Sequence, residues 1–569
     1  IDGFNFYIGN QNNGSGERNM FVNGFSITKP ITLADGNWNE TAIWLNNTIP
    51  PTDASVTINH NISLNTDVSL RSILINNGKT LTASDSTPRT LTISNGGSLT
   101  NNGTFTAGNG TVAFAGSATV SGTIIFNNVT LAGGVNFGAS ATINSNLTIN
   151  SGGFVTTNAP IYGSGATLVY NSGGTFNRGT EWSATSGKGY PNNVQISGNT
   201  TFNLNNGANV VRQMGGTLTV DFGSTLSLEG MTIASPSEIG LTVVGNVINN
   251  GSITLASSTE RLKCVNYTNN ANALTTLSTI IGGDLELTGN FIDNAPFNSN
   301  NRAVFFTGSG VQDVTGSAPF DIDYIVSNKP SGSIRMLTNL LVEGPNGGNA
   351  ITLTNATDIL DLNGNTLTLG EANVASVFTG IGFIRGGSTS NISIQGTGAL
   401  GTIRFDQSVL GTSNILNNLT INRTSGSVTI GNPLNINGVI TVTDGTLASG
   451  GNITLKSNAN GTAQVAAIGS GGSITGNVTV ERYIPSGKRA FRLLSPAVTT
   501  TTFISGNWQG QTHITGGASG GFDVTETNNP SMYTYDNQAA QGVSGWTPIA
   551  NTNNTNLIAG VGYRVLIRG

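Results

Sequence analysis

Residues 111–149, TVAFAGSATVSGTIIFNNVTLAGGVNFGASATINSNLTI, leave a chain few ways to fold. They hold very short runs, at 112–114, 124–126, 129–131 and 147–149, in which apolar and polar residues alternate and Gly, Asn or Ser marks each break. Alternation is the period of a strand with one buried face, and no gap is long enough for a helix. Evenly spaced short strands with turn residues between them predict an all-β chain. The spacing is tighter than a sandwich needs and persists for hundreds of residues. That predicts a parallel β-solenoid (β-helix), a coil of stacked rungs.

The pattern recurs. Thr111-Val112-Ala113-Phe114, Thr167-Leu168-Val169-Tyr170, Ala303-Val304-Phe305-Phe306 and Thr402-Ile403-Arg404-Phe405 share an apolar residue followed two places later by an aromatic one. A Gly-rich break and an Asn-led strand follow, as at Asn127-Asn128-Val129, Asn192-Asn193-Val194 and Asn417-Asn418-Leu419. The lead-in at residues 99–105 is echoed at 247–253, before a degenerate copy at Leu262-Lys263-Cys264. The copies are unevenly spaced, which a solenoid tolerates because insertions loop out from a rung. At about 20 residues and ~4.8 Å per turn, the repeats would build a rod on the order of 100 Å long.

Composition agrees. Charged residues are 9% of the 569, and Gly accounts for 78; soluble domains carry about 25% charge. Uncharged Ser, Thr and Asn can stack in register, where like charges would repel. A net charge of −5 gives no reason to expect nucleic acid. No apolar run approaches the ~20 residues that span a bilayer. The chain opens on Ile1 with no basic-then-apolar leader, so the expectation is a mature secreted form or a piece of something longer. One cysteine rules out an internal disulfide, and Cys264 occupies an apolar position of the repeat, as a buried small hydrophobe would.

Three regions follow. Residues 1–54 hold an alternating strand with Phe4, Phe6 and Ile8 on one face, then a second apolar run and a Trp-containing segment expected to cap the coil. Residues 55–480 are solenoid repeats. Residues 481–569 change texture: Arg482, Lys488, Arg489 and Arg492 arrive together, followed by Trp508, Tyr533, Tyr535, Trp546 and Tyr563. This predicts a small β-sandwich-like module ending in a strand with Tyr563, Val565 and Ile567 on one face.

The segment at 36–64, with Trp38, Trp44, Pro51, Asp53, Val56 and Ile58, resembles the G-x-W…W…P…D-x-V-x-I opening of β-helical regions in large secreted surface and adhesin-like proteins of Bacteroidota. The cadence at 438–455 and the run R-Y-I-P…G-K-R-A-F-R-L-L-S-P from Arg482 resemble the same proteins, the second covering about 478–569. The resemblance implies secretion to the cell surface, often through the type IX system with a C-terminal sorting domain. Asp85-Ser86-Thr87 is similar to their short O-glycosylation motif, with Ser86 as acceptor.

A β-helix can also be a polysaccharide lyase or hydrolase, which needs clustered carboxylates or a basic residue with acidic metal ligands. The candidates are Asp321 with Asp323, Asp358 with Asp361, and Glu260 with Arg261 and Lys263. Asp321 and Asp323 share a strand face, but nothing comparable is evident one rung away. His60 reads as a solvated face residue. With only His60 and His513, a histidine metal site or triad is not expected, nor is any cofactor.

The expectation is therefore a non-catalytic, extracellular structural or adhesive protein, assembling head-to-tail into a surface filament. The Phe4/Phe6/Ile8 strand would be donor and the Tyr563/Val565/Ile567 strand acceptor. The basic cluster would pair with Glu481, Asp523 and the end of the coil, or with Trp508 and Trp546 contact an anionic glycan or the next subunit. The rivals are a monomeric glycan-binding stalk and, less favoured, a polysaccharide-degrading enzyme.

Overall fold

The computed structural model describes residues 29–83, 87–206, 210–232, 238–317 and 320–568. Phe4, Phe6, Ile8 and Ser86 lie outside them. The chain is nearly all β, with about 3% helix, and its parallel sheets wind into a solenoid of about 19 turns. It divides into two compact units, Ile1–Gly163 and Ser164–Gly569, a break that falls inside the repeats.

In the first unit the motif that repeats in the sequence proves to be successive rungs. Thr111–Phe114 pairs in parallel with Asn128–Leu131, and that strand with Asn146–Asn150, so Val112, Val129 and Leu147 form one column and Phe114, Leu131 and Ile149 another. Every residue of both columns is at most 2% exposed. Phe114, Phe126 and Phe137 meet edge to face inside the coil, their centroids 6.3–6.4 Å apart. The coil's start is covered. Trp38 and Trp44 are 2% and 0% exposed, and the Trp44 indole donates to the Trp38 carbonyl at 2.9 Å.

The second unit stacks its strands in parallel columns. One sheet of six runs from Thr175–Asn177 to Phe297–Asn298, and one of eight from Arg212–Met214 to Val377–Gly380. The Asn-led strands have a physical cause. An asparagine at the head of one rung accepts, through Oδ1, a backbone N–H of the next: Asn193 from Thr217 at 2.8 Å, Asn266 from Asn290 at 2.7 Å, Asn290 from Asp313 at 2.8 Å, Asn418 from Val439 at 2.9 Å. These braces span 21 to 24 residues, one turn of coil. Other asparagines, including Asn199, Asn272 and Asn363, turn the corners at positive φ, which Asn tolerates better than most residues.

A polar ladder also runs inside the coil. The Asn249 amide donates to Asn269 at 2.9 Å and the Asn269 amide to Asp293 at 2.7 Å; exposures are 0%, 0% and 5%. Burial pushes the Asp293 carboxyl up to about 6. Arg423, fully buried, donates to the carbonyls of Gly398 and Gln395 at 2.6 Å each and to that of Ser376. Gly396 makes room for it at φ +106°: a Cβ there would sit 2.4 Å from the Val374 carbonyl oxygen and 3.0 Å from the guanidinium.

After the solenoid comes one four-stranded antiparallel sheet, ordered Ala490–Leu494, Tyr563–Ile567, Met532–Tyr535, Trp546–Pro548. Its inner face packs Tyr563, Val565 and Met532 against Ile504, Ile514, Ile549 and Leu557, a core of its own.

Candidate functional site

The last rung of the solenoid is unlike every rung before it. Val439–Ala448 pairs with both Gln464–Val465 and Gly471–Thr475, and Ile453–Leu455 pairs with Val478–Val480. None of these three final strands has a partner on its other side among the described residues. In the penultimate rung Ile440, Val442, Leu447, Ile453 and Leu455 are all 5% exposed or less. Their in-register successors tell the opposite story. Val465, above Ile440, is 39% exposed; Ile474, Val478 and Val480 are half-buried, and Ile468 nearby is 47% exposed. The coil thus ends on a bare cross-section of apolar side chains rimmed by free backbone N–H and C=O groups, which templates further pairing.

The acceptor strand expected at the C-terminus is placed differently. Tyr563–Ile567 is hydrogen-bonded on both edges, to Ala490–Leu494 and Met532–Tyr535, and Tyr563 and Val565 are 2% and 0% exposed. Ile567 packs against the same core. A strand with both edges filled cannot receive a third. Among the described residues, strands with one side open are the outer two of this sheet, Ala490–Leu494 and Trp546–Pro548, and those of the end rung, about which the local sequence of residues 464–480 says nothing distinctive.

The basic cluster does not pair as expected. Glu481 is taken by Lys456 at 2.5 Å, and Asp523 accepts the Ile514 N–H at 2.8 Å beside His513. Arg482, Lys488, Arg489 and Arg492 are exposed and make no ion pair among the described residues. Trp508 and Trp546 are not brought together. Trp508 packs edge-on against Tyr563 in the module's core, at 5.8 Å, whereas Trp546 lies on the sheet's outer face.

The catalytic candidates are tied into the stack. Lys263 and Arg261 both pair with Glu286 one rung on, at 2.8 and 3.1 Å, and the Arg261 guanidinium lies 3.8 Å over the Phe305 ring. Glu260 is fully buried. Asp358 is buried too, accepting from Ser327, the Lys329 N–H and the Asn355 N–H, while Asp361 faces outward to Arg385 at 3.5 Å. These two acids therefore do not face each other. Asp321 and Asp323 flank the buried Ile322 on the outer face, and Glu343 follows one rung later. Burial first, then mutual repulsion that includes Glu371, raises the Glu343 carboxyl; burial also leads in raising Asp321 and Asp323. The expectation of nothing comparable one rung away is corrected on this point: unequal rung lengths hide Glu343 from a linear reading. Among the described residues, no three His, Cys, Asp or Glu side chains group so as to hold a metal ion. Cys264 is 1% exposed and burial raises its thiol. His60, half-buried rather than fully solvated, lies with Nδ1 2.9 Å from the Thr32 carbonyl oxygen.

Fold and site together define a class: a parallel β-solenoid, covered at its start and bare at its end, followed by a small antiparallel module. No family model, no curated protein and no solved structure matches the chain.

Proposed function

We propose that this is a non-catalytic structural and adhesive protein of the cell surface, joined end to end into filaments. The observation that carries the reading is the bare end rung. An apolar cross-section with free strand edges is a liability unless something completes it. The donor in this reading is the segment around Phe4, Phe6 and Ile8 of a second copy. Its alternation would lay apolar side chains over those of the end rung, such as the exposed Val465, while its backbone fills an open edge. Such a contact joins unlike surfaces and does not close, so it propagates. The surface location rests on the sequence cadence at 36–64 and 438–455.

Negative-stain electron microscopy of the intact chain beside one lacking residues 1–28 tests this. Fibres from the first and single particles from the second are expected. Single particles from both, at every concentration up to the solubility limit, would refute end-to-end assembly. Fibres from both would move the donor elsewhere.

A further inference from the structure

The outer face of the C-terminal sheet carries a surface its core does not use. Register places Leu493, Arg564 and Tyr533 in one row across three strands, with Phe491 and the Tyr535–Trp546 pair beside them. Leu493 is 73% exposed, Tyr535 57% and Phe491 39%. In their midst lies a cation. The Arg564 guanidinium sits 4.0 Å over the Phe491 ring and 5.5–5.6 Å from those of Trp546 and Tyr533. The contacts it makes here are with ring faces and not with an anion.

From this arrangement we infer that the face binds an acidic glycan, one hexuronic acid ring seated on the aromatic side chains with its carboxylate on Arg564. The ring faces are negative at their centres and attract the slightly positive axial C–H groups of a pyranose. They also hold the guanidinium among them by cation–π attraction, which leaves its N–H groups available to a planar, two-pronged acceptor. An apolar protein surface laid here would bury Arg564 without an anion, which is costly. A neutral sugar would satisfy the rings and leave the cation idle. A carboxylated pyranose supplies an apolar face and an anion within a single ring, and its outward hydroxyls stay in water, as a shallow face requires. The inference stands apart from filament assembly, since the face lies on the module and not on the end rung. Of the aromatic residues the sequence offered in this module, it keeps Trp546, Tyr533 and Tyr535; Arg564 and Phe491 are new.

The test is calorimetric titration of the full chain with tetragalacturonate, with maltotetraose as a neutral tetramer of equal length, and with tetraglutamate as an acidic peptide. Tetragalacturonate is expected to bind roughly tenfold or more tighter than maltotetraose, the worth of one charged hydrogen-bonded pair. The difference should shrink between 50 and 200 mM salt. Arg564→Gln should abolish the preference and leave weak neutral binding, Arg564→Lys should keep part of it, and Trp546→Ala should weaken both sugars. Unchanged melting of each variant excludes a folding defect. Equal binding of the two sugars, no binding of either, or an unchanged preference in Arg564→Gln overturns the inference. Tighter binding of tetraglutamate than of tetragalacturonate also overturns it, in favour of an acidic protein partner.

Discussion

Asp293 ends a ladder of two asparagines inside the coil, and its position makes it a pH-dependent weak point. Its folded carboxyl releases its proton near 6, against about 3.8 for the free side chain. Over that window the folded state holds more protons than the unfolded one, so its contribution is complete below 3.8 and lost as pH rises through 6. The loss amounts to roughly 3 kcal/mol at neutral pH. Asp293→Asn should therefore raise the melting temperature at pH 7.5 and change it little at pH 4; equal shifts at both would show that the ladder is indifferent to charge. Arg423 is the opposite case. Removing it in Arg423→Ala strands three carbonyl groups in the interior, at a cost of about 3–5 kcal/mol. Faster amide exchange confined to Asn391–Ile403 and Asn418–Ile430 is the expected signature. Neither residue stands out in a linear reading. Asp293 looks like an ordinary turn acid until Asn269 is found below it, and Arg423 looks like a surface arginine in a strand that otherwise alternates as expected.

At the level of the rung, alternation was enough to read the fold, because burial with a period of two is all a stacked strand requires. The asparagines that open strands were visible as a motif, yet their task depends on a partner 21 to 24 residues away, and variable rung length conceals that distance. Each brace satisfies one backbone donor at the corner of a turn, worth about 1 kcal/mol. Asn418→Ala should cost that much and raise exchange at the Val439 amide in particular, whereas Asn418→Asp, which keeps the acceptor, should protect it. The same concealment explains the acid strip, where Glu343 follows Asp321 and Asp323 by one rung. The C-terminal sheet was harder still to read. Its antiparallel register puts Arg564, Tyr533 and Leu493 in one row from three distant stretches, and the last strand, which ends the chain and looks like an edge, is a central one.

For the whole molecule, the end rung decides between a subunit and a solitary stalk. Val465→Lys with Ile468→Lys places two charges on a cross-section that is already 39–47% exposed, so the fold should lose under about 1 kcal/mol. Fibres, if the end rung nucleates them, should disappear in sedimentation and microscopy alike. Persistence of fibres in this variant would assign the junction to another surface.

The covered start and bare finish also give the molecule a direction in time. A rung added in chain order pairs its strand edge and its apolar column with the rung already formed before it, as Val478–Val480 does with Ile453–Leu455. A chain delivered through a narrow pore with its N-terminus leading would find a finished template at each step. Every completed turn would then oppose backsliding, so that winding outside the pore becomes a ratchet on translocation. Delivered the other way round, the same sequence would emerge with nothing to wind upon.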